Sequence, residues 1–431
     1  MKRFSILLFS LLAIIPQMLC AKDNGKASAL YAGAAKADIT PPASIFPIQP
    51  LHEAYPYVDA HDTLYARALV LDNKQQRTVI VELDEVAVPD ADRLIKEVAE
   101  AAKVSAQNVM VCVSHTHSTL HPSGEDPRLS GVIDKIRQGS VAAVKQAVAR
   151  LEPAYVSFGR TRAYVNINNG EIEQSKGQYS TTAFSDKTLD LLKLTRHDGS
   201  MLALIVNYPT HAEMMFRSVS GQGGYEVSGD LPGRVANILE TDYENAVVLT
   251  TAGAEGDQQP IFTSRQHTST QGYVDEGACG WGLVDALARR LVDAVKEKVE
   301  VMPQGTNSVL MTVNSSEAVV PGQHRHQMRE TGKIIDEPAE DVHIPLIRIR
   351  LNDIALDGVG ADLASSIGVA VRQASTVENT MLITNTAKAV GYVLPDEEYK
   401  HYTHGVFGSS IRPGYAQNAI IEAFKKIEVK P

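Results

Sequence analysis

Cysteine is almost missing from this chain: three in 431 residues. Cys20 lies in an apolar leader, which leaves Cys112 and Cys279. That is too few for a disulfide scaffold or a cysteine-rich zinc module. Cys112 sits in an apolar run and reads as a buried thiol, with a Cys112–Cys279 pair as the alternative. Basic charge is in deficit, with 41 Lys and Arg against 51 Asp and Glu, a net charge of -10. With no basic run either, the sequence lacks the electrostatic footprint of a nucleic-acid binder, and no nucleic-acid partner is expected. No internal repeat and no low-complexity stretch is present. Past the leader, no apolar run is long enough to span a bilayer. What remains is ordinary globular composition, 44% apolar and 21% charged. That excludes disorder, collagen and coiled coil, and a chain of this length buries a core without covalent staples.

Residues 1–21 read as an export signal. Lys2 and Arg3 precede an apolar run at residues 4–15 that is too short for a membrane span. Ala21 is the candidate cleavage point, and Cys20 offers a lipid anchor as the rival reading. The expected location is therefore periplasmic or extracellular, with peripheral or lipid-anchored membrane contact left open. Residues 28–431 form the expected mature domain.

Strand and helix patterns alternate along the whole length. Residues 68–72 and 78–83 are aliphatic runs around a short polar turn, the signature of a hairpin. Residues 90–103 carry Leu94, Ile95, Val98 and Ala102 at helical spacing, with Asp90 at the start. Residues 109–113 read as a buried strand, and residues 132–150, 280–299 and 415–427 as helices. Residues 203–207, 246–251, 309–313 and 345–350 read as strands. The acid-rich stretch 321–342 reads as a surface loop. The expectation is an α/β (α+β) fold, one large layered domain with a mixed sheet and flanking helices.

Chemistry is sought where polar clusters end apolar runs, because active groups tend to sit on loops held by a rigid scaffold. The clearest cluster is Ser114-His115-Thr116-His117-Ser118. A strand places residues i and i+2 on one face, so His115 and His117 are expected to point the same way. Neutral imidazole is a common zinc ligand; a metal pair and a hydrogen-bonded surface pair stand level on this pattern. His211 ends a second run, in Asn207-Tyr208-Pro209-Thr210-His211. Gly253-Ala254-Glu255-Gly256-Asp257 follows a third, and Ser228-Gly229-Asp230 precedes a helix near Arg234, where Asp230 caps or orients something.

In order along the chain, these clusters resemble the N-terminal catalytic domain of the neutral (alkaline, non-lysosomal) ceramidases. The opening Ala37-Asp38-Ile39-Thr40-Pro41-Pro42, the hairpin Leu64-Tyr65-Ala66-Arg67-Ala68 and His115-Thr116-His117-Ser118 are similar to that family's motifs. So are Gly229-Asp230, Gly256-Asp257, and Gly391-Tyr392 followed by Glu397-Glu398-Tyr399. The resemblance covers about residues 30 to 427. It implies hydrolysis of the amide of an N-acyl sphingolipid, a small-molecule lipid partner, and one zinc held by two His, one Glu and one Tyr. Carried over, His115 and His211 are the histidine ligands and Tyr392 the tyrosine. The carboxylate position falls on Asp362, one methylene shorter than the family's Glu, so it either binds after a small backbone adjustment or loses the role. His117 becomes a catalytic proton-handling group. Asp257, with Asp230, is a candidate partner for the far nitrogens of the zinc-binding histidines. Gln259 stands where the family has Ser, and Asn169 where it has a substrate-contacting Arg; both are candidate substrate-binding residues. Ser118-Thr119-Leu120-His121-Pro122 replaces a Gly-Pro-Gly turn. These departures leave two alternatives: a non-catalytic lipid- or glycan-binding protein on a degenerate hydrolase scaffold, or a zinc hydrolase of another amide or an ester. His121, His401 and His404 read as accessory.

Overall fold

Apolar runs separated by helical stretches assemble into three main sheets, each made by the same device. The computed structural model describes residues 26–50, 53–121, 127–169, 183–268, 272–327, 334–400 and 403–429. The leader with Cys20, and His401, lie outside them. The first sheet contains β1 (Tyr31–Asp38), β2 (Tyr65–Asp72), β3 (Arg77–Leu83), β4 (Val109–Val113) and the two-residue β5 (Glu152–Pro153), in the order β4-β3-β2-β1-β5. β2 and β3 form the expected antiparallel hairpin. β4 lies parallel to β3, which requires a crossover, and α1 (Ala91–Ala102) supplies it. Asp90 precedes α1 but adopts a left-handed backbone (φ 45) and makes no side-chain cap. α1 buries Leu94 and Val98 against the sheet, and α2 (Ser130–Ala149) buries Ile136 and Val144 beside them. Each such side chain contributes about 1.5–3 kcal/mol of transfer free energy.

The second sheet contains β6 (Tyr155–Arg162), β7 (Thr188–Thr195), β8 (Met201–Tyr208) and β9 (Val247–Ala252), in the order β9-β8-β7-β6. Here β8 and β9 are the parallel pair, joined through α3 (Asp230–Asp242), with α4 (Gly280–Val301) packed alongside. The third sheet contains β10 (Met311–Gln327), β11 (Ile334–Leu351), β12 (Ile354–Val359) and β13 (Asn379–Ile383), in that order. Its parallel pair is β12 and β13, joined through α5 (Ser365–Ala374), and α6 (Ala416–Val429) covers the outer face.

One apolar core joins the first sheet to the other two, with Leu69, Ile80 and Met110 against Ile205, Leu249, Ile349 and Leu356. Helices cover both outer faces. The layers are therefore helix, sheet, sheet, helix. Strands in the middle are covered on both sides, which is why β4 and β9 read as continuous apolar runs rather than alternating ones. The single mixed sheet expected from sequence is three mixed sheets in one layered α/β domain. Cys112 is buried in the central core and Cys279 is exposed; both thiols are free. Among the described residues no helix is long and apolar enough to cross a membrane.

The expectation of a loop at residues 321–342 is overturned. Residues 321–327 and 334–342 belong to the long antiparallel β10–β11 pair, with a bulge between Val320 and Gly322; residues 328–333 lie outside the described residues. Near the body, Ala318, Val320 and Ile344 are buried against Ile420 and Phe424 of α6. Farther out, Arg325 grips Asp336 with two bonds of 2.6 and 2.7 Å. Glu337 and Asp341 are exposed, so the hydrophobic alternation that marks a strand is lost there. At the bulge only glycine fits: a Cβ on Gly322 would lie 2.0 Å from the Glu340 carbonyl oxygen.

The three parallel pairs end in loops that meet. His115 follows β4, His211 follows β8, Glu255 follows β9, and Asp362 and Asn385 follow β12 and β13. Ligand sites in open α/β sheets lie beyond the carboxyl ends of parallel strands, and here all three sheets contribute.

Candidate metal centre

His115 and His117 come together by a different route from the one the strand pattern suggests. β4 ends at Val113, and His115 turns into left-handed backbone (φ 59), so the two-residue pleat no longer applies. Thr116 then bridges to Ala212, and the His117 N–H donates to the Ala212 carbonyl at 3.0 Å. The result still brings the two Nε2 atoms to 3.3 Å. The His211 N–H donates to the Gln258 carbonyl at 3.0 Å. Asp230 holds this loop from behind. Its carboxylate accepts from the N–H groups of Met214 (3.2 Å) and Met215 (2.8 Å) and from the Ser118 hydroxyl (3.3 Å). Asp362 and Tyr392 face each other across a two-residue parallel pairing.

Four donors thus converge. Asp362 Oδ2 lies 3.3 Å from His211 Nε2 and 3.9 Å from His115 Nε2, and the Tyr392 hydroxyl lies 3.4 Å from His211 Nε2. Donors about 2.0–2.2 Å from a zinc stand roughly 3.3–3.6 Å from one another; the two contacts of His211 fall in that window and the His115–Asp362 distance lies just beyond it. The chemistry fits as well. His115 Nδ1 donates to the Val86 carbonyl at 2.6 Å, and His211 Nδ1 to the Glu255 carbonyl at 2.8 Å. Those bonds leave both Nε2 lone pairs aimed inward. Asp362 Oδ1 is buried with no hydrogen-bond partner. Backbone carbonyls, not Asp257 or Asp230, orient the imidazoles, which corrects the expectation from sequence. His115, His117 and His211 also form a tight group of nitrogens within 4.8 Å of one another.

The electrostatics call for one cation. Burial opposes charge on His211, but the Asp362 carboxylate, helped by Glu213 and Glu255, raises its pKa well above the usual value. Burial and the His211 charge push His115 down to about 4. Burial and the neighbouring imidazoles hold His117 far below its ordinary value. Burial, then the carboxylates of Asp362, Glu213 and Glu255, keep the Tyr392 phenol protonated. Without a metal, that one positive charge is a proton on His211, which a cation held by His211 Nε2 would displace.

The cluster opens into a cavity of about 530 Å³ whose wall includes His117, Asn169, Glu213, Asp257, Gln259 and Tyr392. Asn169 and Gln259 both line this cavity. The Asn169 N–H donates to the Asp257 carbonyl at 2.8 Å, and the Gln259 amide donates to Glu213 at 2.9 Å. The Asp257 carboxylate accepts from the Ser365 N–H (2.7 Å), the Ser365 hydroxyl (2.9 Å) and the Asn168 amide (2.8 Å). It therefore ties the start of α5 to the cavity wall. His121 Nε2 lies 3.2 Å from the His117 carbonyl, and its ring stands edge-on to that of His117. The His404 ring stands edge-on to Tyr392.

The model of the family "Neutral/alkaline non-lysosomal ceramidase, N-terminal" matches residues 31–256. The chain belongs to this family. Two solved structures share its fold. A neutral ceramidase from Pseudomonas aeruginosa has a TM-score of 0.73 at 18% identity, covering 93% of this chain and 74% of that one. A structure described as ceramidase complexed with C2 has a TM-score of 0.70 at 17% identity, covering 93% and 75%. No curated protein matches. The matched region contains His115 and His211, whereas Asp362 and Tyr392 lie beyond it.

Sequence reasoning missed two carboxylates at this ceramidase-family centre. Glu213 stands two residues after His211, and Glu255 lies inside a glycine-rich turn where only Asp257 drew notice. Burial raises both pKa values. The available signal was an acidic residue within two positions of a candidate ligand, at the end of an apolar strand.

Proposed function

We propose that this protein is an exported, zinc-dependent hydrolase of the amide bond in an N-acyl sphingoid lipid, releasing sphingoid base and fatty acid. The observation that carries the reading is the convergence of His115, His211, Asp362 and Tyr392 on one buried point, with both Nδ1 atoms on backbone carbonyls and both Nε2 atoms inward. Family membership supports the amide and the lipid. His115, His211, Asp362 and Tyr392 would hold the zinc, which when bound would supply Lewis-acid polarisation of a carbonyl and lower the pKa of a water to about neutral. The chain's own residues do the rest. His117 Nε2 faces the same point and moves a proton between the attacking water and the departing amine. Asn169 and Gln259 present amides to the polar part of the substrate from the cavity wall. Phe216 and Leu394 offer apolar surface to its chains. Tyr273, 60% exposed at the rim, sets an amphipathic ring where a lipid surface would meet the cavity. Export rests on Lys2, Arg3 and the apolar run that follows.

The test is turnover of N-acyl sphingoid lipids by purified protein, with and without a chelator, followed by zinc restoration. Release of sphingoid base that stops on chelation and returns with zinc is expected. Zinc binding without turnover would favour the non-catalytic alternative, and turnover of other amides or esters alone would move the substrate. An intact Met1 on protein from the native host would contradict export.

A further inference from the structure

Gly256 and Asp257 form the turn after β9, and no step of the proposed reaction uses either. Both nonetheless bind one short segment, residues 362–365, which begins at the candidate ligand Asp362 and ends at the first residue of α5. The Gly256 N–H donates to the Leu363 carbonyl at 2.8 Å. The Asp257 carboxylate accepts from the Ser365 N–H on Oδ1 at 2.7 Å and from the Ser365 hydroxyl on Oδ2 at 2.9 Å. The Gln258 amide donates to the same hydroxyl at 3.1 Å.

The first N–H groups of a helix have no partner within it. The residue before α5 is Ala364, whose side chain makes no cap. Asp257 accepts there in its place from 108 residues away, and a negative charge at a helix start is favoured by the helix dipole. The Asn168 amide braces the second carboxylate oxygen at 2.8 Å. Asp257 therefore carries a cap that the local sequence of α5 does not supply.

The other side of the segment is held by the strand that carries Tyr392. The Asp362 N–H donates to the Gly391 carbonyl and the Ala364 N–H to the Val393 carbonyl, each at 3.0 Å. Asp362 thus sits between two fixed walls, and the Gly256 wall is close. A Cβ on Gly256 would lie 3.1 Å from Asp362 Oδ1 and 3.0 Å from the Leu363 carbonyl carbon. Aspartate has one methylene between backbone and carboxylate, so the position of this backbone decides where its oxygens fall. Asp362 Oδ2 falls 3.3 Å from His211 Nε2.

We propose that Asp257 is a positioning residue for Asp362: by capping α5 from a distant turn, with Gly256 allowing the close approach, it sets where the Asp362 carboxylate meets His211. The proposal rests on the reading that Asp362 holds a metal. A second anchor of α5 offers the control. Arg372, in its last turn, donates to Asp186 at 2.5 Å and has no contact with residues 362–365 among those described.

The experiment is zinc affinity by chelator competition on folded wild type, Asp257→Ala, Asp257→Asn, Gly256→Ala and Arg372→Met. Crystal structures of metal-free wild type and Asp257→Ala accompany it. Asp257→Ala should weaken zinc by roughly 10–100-fold. Asp257→Asn retains an acceptor oxygen and should lose less. Gly256→Ala should weaken zinc as well, because Asp362 has to give way. Arg372→Met should lower thermal stability and leave zinc affinity within about twofold. In the metal-free crystals, the contact between Asp362 and His211 should open in Asp257→Ala. Equal zinc loss in Asp257→Ala and Arg372→Met would reduce the effect to general anchoring of α5 and overturn the proposal. So would unchanged zinc affinity with a raised KM, which would make Asp257 a substrate contact. Should Asp257→Ala fail to fold, Asp257→Asn and Ser365→Ala carry the same readouts. No zinc in wild type, with the contact opening in the variant, would count against the proposed function alone. Zinc bound equally by wild type and Asp257→Ala, with the contact unmoved, would count against this proposal alone. No zinc and an unmoved contact would sink both.

Discussion

Two clusters of buried charge lie either side of the loop that leaves β3, and they are composed in opposite ways. On one side, Arg67 of β2 is enclosed by carboxylates. Its Nη1 lies 2.8 Å from Asp84 and 3.2 Å from Glu82, and its Nε lies 3.6 Å from Glu240. Burial opposes the charge, but the three acids more than compensate and raise the guanidinium pKa. Unpaired atoms remain there, Nε and Nη2 of Arg67 and an oxygen each of Glu82 and Asp84, and they are donors and acceptors together. On the other side, the buried side-chain atoms left without a partner at the histidine centre are carboxylate acceptors, Asp362 Oδ1 and Glu255 Oε2. The first cluster contains its own cation. The second leaves carboxylate oxygens over, with the charge balanced by a proton on His211 that a bound cation would replace. Burial and polarity alone do not point to a metal site; an excess of unpartnered acceptors does.

That contrast can be broken by substitution. The largest effect is expected for His115→Ala or His211→Ala, which remove an inward lone pair. Zinc should be lost and hydrolysis should fall by about 10³-fold or more, since Lewis-acid stabilisation is worth several kcal/mol. Metal analysis alongside turnover checks it, and full zinc in both variants would show the ligands to be misassigned. Next, His117→Ala should retain zinc and lose roughly 10²–10⁴-fold in kcat. If zinc leaves with His117, that residue is a ligand and Tyr392 returns to question. Arg67→Met should do the reverse of the first pair. It strands buried carboxylates, at about 3–5 kcal/mol of stability by denaturant unfolding, while folded protein keeps its zinc. Loss of zinc without loss of stability would merge the two clusters into one.

The smallest effect concerns the residue between them. Asp84 belongs to the ionic cluster, the Val86 carbonyl orients His115, and Glu85 is buried between. Burial raises the Glu85 pKa to about 8 from 4.5. A folded-state pKa above the unfolded value means that the fold holds the proton, so this contribution is complete below about pH 4.5 and is lost as pH rises toward 8. Glu85→Gln stays neutral throughout. Wild type should therefore lose stability relative to the variant across that interval, and parallel curves in pH-dependent unfolding would contradict the assignment.

What was legible in the sequence follows the same physical line. β4 was readable to the residue because both of its faces are covered, so five apolar residues stand together. His115, His117 and His211 were readable because they terminate such runs. The β10–β11 ribbon was not, because its outer half packs through the polar Gln323 and Arg325 rather than through apolar residues, so the hydrophobic alternation disappears. Glu213, Glu255 and Arg67 were invisible as functional or buried groups. Each is defined by partners far away in sequence, and a charged residue in a strand or turn reads as solvated until the packing is known. The left-handed turn at His115 was equally hidden: the pattern named the right pair for a reason the backbone does not bear out.

We propose that unpartnered acceptors at the ends of three parallel strand pairs mark a zinc centre. Metal content of purified wild type and His211→Ala, both folded and exposed to zinc, tests it most directly. The account predicts about one zinc per wild-type chain and almost none in the variant. No zinc in wild type, or the same content in both proteins, would contradict it.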